Sequence, residues 1–466
     1  MKAKACLAII LLAFAISGEP ALSAVQSVSE KEKIAAVLTQ SYPHLEALYR
    51  DIHSHPELAF QERRTAALLA REMRQLGFVV TEKVGGTGVV AIYRNGPGPV
   101  VLVRTEMDAL PIREKTGLSY ASNVQARWTE EPGKRLMPDA QDGRDAPVPT
   151  ELGAFVSHAC GHDIHMAWWV GTAQALVMLK GQWSGTLMFV AQPAEETLSG
   201  ARAMLADGLF ERFPKPDFAF TAHVIPLPAG SVLLKDGPAL AAADNLSIRF
   251  HGRGGHAASP NNTIDPIMIG AHFANDVQAV ISREKDPALP GILTIGSFRA
   301  GEAANAIPDS AELRLTLRAA APAVRAELLA GVLRTAKAVA DMAGAPSPDV
   351  ALLSSTGPTI NDPALTARMA LAMKDAFGPA LITIPADANA GMASDDFSEW
   401  VAAGVPAVYF AIGGMSPAML ADYRARHQSP PVNHSAYFHP VPEPAIKTGV
   451  EVLALAVLMA APAASR

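Results

Sequence analysis

Apolar residues recur at helical spacing over 30–50 and again over 62–76, where Gly77 supplies a stop, so the pattern predicts two helices ahead of the first strand. The short β-branched runs 88–93 and 100–104 flank the turn-forming stretch Asn95-Gly96-Pro97-Gly98, which predicts a hairpin entering a sheet. Residues 122–149 are polar, charged and rich in Pro, Asp and Gly, with no sustained period, and read as a long surface loop. Beyond it the spacing predicts a helix over 162–180, a strand over 185–191, a short helix over 200–209 and a strand over 217–223. Such alternation argues for an α/β sandwich around a largely buried sheet.

Near Pro238 the pattern changes. A strand over 245–251, a helix over 263–283, strands over 292–298 and 311–318, a helix over 322–342 and a strand over 349–353 follow in the order βαββαβ. This is the ferredoxin-like signature. It predicts an inserted domain at 238–354 between two parts of a larger domain, 25–237 and 355–466. A helix over 363–377, strands over 381–384 and 405–411 and a terminal helix complete the larger domain, and no internal repeat is present.

The 466 residues, 49% hydrophobic and 18% charged, supply more than one core and exclude a disordered, collagen-like or low-complexity chain. With 39 Lys and Arg against 45 Asp and Glu, a net charge of -6 and no basic run to track a phosphate backbone, nucleic acid is excluded as the expected partner. The first 24 residues read as a signal peptide: Lys2 and Lys4, an apolar stretch over 5–16, and the small-residue cleavage region Ala21-Leu22-Ser23-Ala24. A mature chain beginning near Val25, exported to the periplasm or secreted, is the expectation. The apolar stretch is shorter than the roughly 20 residues of a spanning helix, and so is the C-terminal run 452–464. With Lys447 and Glu451 at helical spacing before it, that run predicts a packed helix and no membrane insertion. Cys6 departs with the signal, so Cys160 remains alone and no internal disulfide can form.

Chemistry concentrates in Ser-His-Ala-Cys-Gly-His-Asp-Ile-His-Met-Ala, which brings His158, Cys160, His162, Asp163 and His165 to the mouth of a helix. Cys160 and His162, two apart in a non-helical lead-in, can share an ion, because thiolate and imidazole suit zinc and its neighbours. Gln-Pro-Ala-Glu-Glu at 192–196 follows an apolar strand, where open α/β sheets place their sites. One of its carboxylates can bind metal while the other takes a proton from metal-bound water. His223 at a strand end and His434 in Val-Asn-His-Ser-Ala-Tyr-Phe-His-Pro complete a five-ligand set with Cys160, His162 and one of the glutamates, enough for two bridged metals. A nucleophilic Cys160 served by His158 or His162 is the alternative, but it leaves the glutamates and the distant histidines unemployed.

The same residues, with Arg-Asp-Ile-His-Ser-His-Pro-Glu-Leu-Ala-Phe-Gln-Glu from Arg50, Arg-Thr-Glu-Met-Asp-Ala-Leu-Pro-Ile from Arg104, Gly-Arg-Gly-Gly-His-Ala-Ala-Ser-Pro from Gly252, Asn-Ala-Ile-Pro-Asp from Asn305 and Asp-Asp-Phe-Ser from Asp395, resemble the N-acyl-amino-acid amidohydrolase family of dinuclear metallopeptidases. That group contains hippurate hydrolases, aminoacylase-like enzymes and plant auxin-conjugate hydrolases, and the likeness covers nearly the whole mature chain. The resemblance implies a metallopeptidase-type α/β catalytic domain with an inserted ferredoxin-like lid or dimerisation domain. It implies Cys160, His162, Glu196, His223 and His434 as ligands of two divalent ions, Zn or Mn before Co or Ni, and Glu195 as general base. It implies that His256 polarises the scissile carbonyl, often across a dimer interface, that Asn305 contacts substrate, and that the chain is a homodimer or homotetramer. The implied reaction is hydrolysis of an N-acyl amino acid to a carboxylate and a free amino acid, with a dipeptidase or carboxypeptidase on the same scaffold as the alternative. A binding or sensor protein is the rival from another class, against which an intact Glu195 argues. Three departures stand out: Glu106 and Asp395 where the family has Asp and Glu, and the long 122–149 segment.

Overall fold

The computed structural model of the protein describes residues 24–128, 134–135, 152–388 and 391–463. The expected signal peptide lies outside them except for Ala24, the first residue of the helix Ala24–Ser54.

The larger sheet has eight strands in the order Val79–Val84, Gly88–Asn95, Gly185–Gln192, Val100–Glu106, Phe218–Pro228, Ala407–Met415, Val232–Lys235 and Leu381–Ile384. The expected hairpin between 88–93 and 100–104 does not form, because Gly185–Gln192 lies between the two strands, antiparallel to one and parallel to the other. Gly88–Asn95 instead turns back on Val79–Val84, a strand the sequence pattern missed because five of its six positions are not fully buried. The central strands are buried on both faces. Leu187, Phe189 and Ala191 enter one core while Met188 and Val190 enter the other, so a continuous apolar run stands where a one-sided sheet would alternate.

Four long helices, Ala24–Ser54, His162–Met178, Pro363–Phe377 and Pro442–Ala460, cover one face of this sheet. The last is almost wholly buried, as expected for the C-terminal run, and crosses His162–Met178 at two glycines. A Cβ on Gly171 would stand 2.6 Å from Val450, and one on Gly449 2.2 Å from the Trp168 ring. Among the described residues no helix is long and apolar enough to cross a membrane.

The smaller sheet is antiparallel, in the order Gly291–Ala300, Ser310–Ala319, Ala242–His251, Asp349–Thr356 and Lys134–Arg135. With helices Pro266–Asp276 and Pro322–Met342 packed on one face, its first four strands have the ferredoxin-like arrangement. The helix expected over 263–283 stops at Asp276, capped at its start by Asp265, and gives way to a separate turn at Val280–Glu284. The 122–149 segment is not simply a loop. Gln125–Trp128 pairs with Leu152–Phe155 and Lys134–Arg135 edges the smaller sheet, whereas 129–133 and 136–151 lie outside the described residues. These strands are held by partners distant in sequence, so no local apolar period announces them.

Candidate metal centre and active site

Three adjacent parallel strands, Gly185–Gln192, Val100–Glu106 and Phe218–Pro228, bring their chemistry to one edge of the larger sheet, beyond or near their carboxyl ends. Asp108 follows the second, Glu195 and Glu196 follow the first, and His223 stands within the third, which runs on to Pro228. Gly161 precedes the helix His162–Met178 at φ 91°, and a Cβ there would lie 2.4 Å from Val224. Only glycine lets this turn deliver Cys160 and His162 against the strand.

The five expected ligands and Glu195 meet here. Cys160 Sγ is 3.4 Å from His223 Nε2, and His434 Nε2 is 3.3 Å from Glu196 Oε2. His162 Nε2 lies 3.7 Å from Glu195 Oε2 and 3.9 Å from Glu196 Oε1. The ligand atoms of Cys160, His162 and His223 fall within 4.8 Å of one another, as do those of Cys160, Glu196 and His434. Cys160 belongs to both groups, and His162 and Glu196 also meet Glu195 within the same reach, so the cluster offers donors enough for two neighbouring sites.

Hydrogen bonds fix which atoms face inward. His162 Nδ1 donates to the Asp108 carbonyl at 2.7 Å and His223 Nδ1 to the Val224 carbonyl at 2.8 Å, which turns both Nε2 atoms to the centre. His162 Nε2 and Glu196 Oε1 are buried with no hydrogen-bond partner. Orphaned donors of this kind, with a thiol and further imidazoles beside them, fit a pair of divalent cations.

Burial dominates the proton affinities. It pushes the Cys160 thiol and the Glu195 carboxyl well above their usual ranges, with Asp395 and Glu196 adding to the effect on Glu195. Burial also brings Glu196 up to about 7 and His223 down to about 3. At His162 burial opposes the charge, but the Asp108 hydrogen bond and the carboxylates of Glu106 and Glu196 override it, to about 10.

A second layer holds these groups. Glu196 N donates to Asp108 Oδ2 at 2.9 Å, and Ala194 N to Glu62 Oε1 at 2.9 Å. Glu195 and Glu196 therefore sit in a turn whose flanks, Ala194 at φ 52° and Leu198 at φ 54°, are left-handed without being glycine. Asn433 Nδ2 donates to the carbonyls of Cys160 and Val224, both at 3.0 Å, tying the loop of His434 to the cluster. Arg104, fully buried, pairs with Glu106, with Asp395 at 2.8 Å and with Asp396 at 3.0 Å. Glu106 also accepts from His165 Nδ1 at 3.0 Å, and the His165 ring lies 4.4 Å from that of His223. The two departures from the family pattern thus meet on one arginine.

His256 and Asn305 are not brought to this cluster. Both are exposed on a two-stranded arm of the inserted domain, where Ala257 N donates to the Asn305 carbonyl at 3.1 Å. The cavity of about 340 Å³ over the cluster is lined instead by Arg318, Tyr409, Asn433 and Ser394 among others. Sequence reasoning gave no role to Arg318. Its signal was a cation in the alternating strand Ser310–Ala319, on the face away from the helices.

A family model, Peptidase family M20/M25/M40, matches residues 138–458, more than half of the chain. The chain belongs to that family. It is accordingly a metal-dependent, peptidase-like amidohydrolase. Thermostable carboxypeptidase 1 of Saccharolobus solfataricus is 32% identical over 370 residues, 78% of this chain and 84% of that protein. Hippurate hydrolase of Campylobacter jejuni is 36% identical over 276 residues, 59% and 64% of the respective lengths. Among solved structures, a putative aminohydrolase from methicillin-resistant Staphylococcus aureus aligns with a TM-score of 0.73 at 26% identity, covering 92% of this chain and all of that one. A dinuclear metal-binding peptidase of the M20 family from Bacillus subtilis aligns with a TM-score of 0.66 at 25% identity, covering 90% of this chain and 98% of that one.

Proposed function

We propose that this member of the M20 family hydrolyses N-acyl amino acids to a carboxylate and a free amino acid. The observation that carries the reading is Arg318, a half-buried guanidinium that lines the same cavity as Glu195 and feels its carboxylate across it. Its guanidinium donates to the Ser394 hydroxyl and is left to receive a substrate carboxylate. Hippurate hydrolase and N-acyl-L-amino acid amidohydrolase are among the relatives, the latter from Geobacillus stearothermophilus and 33% identical over 318 residues.

Cys160, His162, Glu196, His223 and His434 would hold two divalent ions, Zn or Mn before Co or Ni, which when bound acidify a water and polarise the carbonyl. Glu195, buried beside His162, would take a proton from the attacking water and return it to the leaving nitrogen. Arg318 orients the amino-acid half. His256 acts on the carbonyl from the inserted domain of a neighbouring subunit in a homodimer or larger oligomer, consistent with its exposure away from its own cluster.

A carboxypeptidase reading has a specific observation in its favour, the Saccharolobus relatives, and uses the same carboxylate contact. A mass-spectrometric screen of metal-loaded protein against N-acetyl, N-benzoyl, long-chain N-acyl and indole-acyl amino acids and dipeptides separates the two. Release of amino acid from acyl conjugates supports the proposal, and turnover confined to peptides replaces it.

A further inference from the structure

The cleft holds a second cavity that the proposed reaction leaves unused. About 350 Å³ in volume, it lies between Ala59 and Phe60 of the larger domain and the open face of the smaller sheet at Asn245, Thr294 and Thr316, opposite the face that packs Leu246 and Leu315 on the helices. Glu196 and Asn245 line both this cavity and the one containing Arg318, so the two meet at a proposed metal ligand.

Their chemistry differs. In the second cavity the guanidinium of Arg314 is engaged by Glu312 Oε1 at 3.0 Å, and the hydroxyls of Thr197 and Ser199 bond each other at 2.6 Å. What remains accessible is mostly carbon. An N-acyl amino acid has two arms diverging from the scissile amide. If the carboxylate arm lies toward Arg318, the acyl arm crosses Glu196 toward the apolar cavity.

We infer that this cavity takes the acyl half of the substrate and selects a medium-length alkyl chain over acetyl, an inference that rests on the amidohydrolase reading above. An acetyl group would leave the cavity to water. Each methylene added would bury apolar surface and raise kcat/KM about fourfold until the cavity is filled.

Gly296 bounds the space. It is the extra residue of a bulge between Ile295, opposite Leu315, and Ser297, opposite Arg314. A Cβ built on it meets nothing within 4 Å, so a side chain there has room to grow without displacing the backbone. Thr294, exposed on the same strand, is a second position on the same wall.

The test is kcat/KM for acetyl-, butanoyl-, hexanoyl- and octanoyl-L-alanine with metal-loaded wild type, Gly296→Phe and Thr294→Leu. The wild type is expected to improve along the series, and both variants to lower the octanoyl-to-acetyl ratio by about tenfold or more. A flat series, or a ratio unmoved in two folded variants, overturns the cavity assignment and leaves the amidohydrolase reading standing. If the wild type cleaves none of these amides, that reading fails and binding decides the cavity. Calorimetric titration of Glu195→Gln protein would then show a preference for octanoyl- over acetyl-L-alanine that Gly296→Phe abolishes, or equal binding, which overturns the assignment.

Discussion

The carbonyl of Asp108 accepts the Nδ1 proton of His162 at 2.7 Å, while the Asp108 carboxylate accepts the backbone N–H of Glu196 at 2.9 Å. One residue thus aims two of the proposed ligands from behind. Asp108→Ala keeps the carbonyl but removes the second contact, and metal affinity should fall about 10- to 100-fold, the scale for a lost outer partner. Competition with a chelator measures it, and unchanged affinity would remove Asp108 from the support of the centre.

Glu62 secures the turn carrying Glu195 and Glu196 through the backbone of Ala194. Glu62→Ala would leave that buried N–H unpaired at a cost of about 1–3 kcal/mol. Glu62→Gln retains an acceptor. The alanine variant should lose at least about tenfold in kcat with little change in KM, and glutamine should restore most of it. Equal loss in both variants would point to a need for the carboxyl itself.

The sheet, the ferredoxin-like insertion and the residues gathered in the candidate metal cluster are legible in the sequence because each is announced locally, by apolar period or by histidines and carboxylates crowded around glycines. Strand neighbours were not. The turn at Asn95-Gly96-Pro97-Gly98 carries hairpin chemistry, yet the strand Gly185–Gln192 separates its two arms. Arg104, buried, and Arg318, half-buried, escaped because a cation in a strand becomes informative only once its counter-charges are known. For Arg104 these come chiefly from Asp395 and Asp396, nearly three hundred residues away, and for Arg318 from Glu195 across the cavity.

His53 is buried between Asp163, 2.6 Å from Nδ1, and Glu114, 3.1 Å from Nε2. Burial works against its charge, but the two carboxylates raise its pKa to about 9, above the roughly 6.5 of an unfolded chain. A folded-state pKa raised in this way stabilises fully below about pH 6.5 and less and less as pH climbs through about 9. Thermal melts of the wild type should therefore lose stability between those limits, and His53→Gln should flatten that slope. A parallel slope in the variant would assign it to other groups.

His256→Ala should spare metal content and fold but lower kcat about 10²-fold or more, the effect of losing a group that stabilises an oxyanion. If the site is shared between two chains as proposed, mixing it with Glu195→Gln protein should recover part of the activity, since mixed dimers would pair one intact glutamate with one intact histidine. No recovery after verified subunit exchange would confine the site to one chain, and full activity of His256→Ala would end the role.

In the proposed mechanism Glu195 serves the water and the other five residues serve the ions. Metal content and turnover measured together on Glu195→Gln test it most directly. Close to two divalent ions per chain are expected, as in the wild type, with hydrolysis of every amide reduced by about 10²-fold or more. A Glu195→Gln protein that hydrolyses at the wild-type rate, or one that has lost its ions, would contradict it.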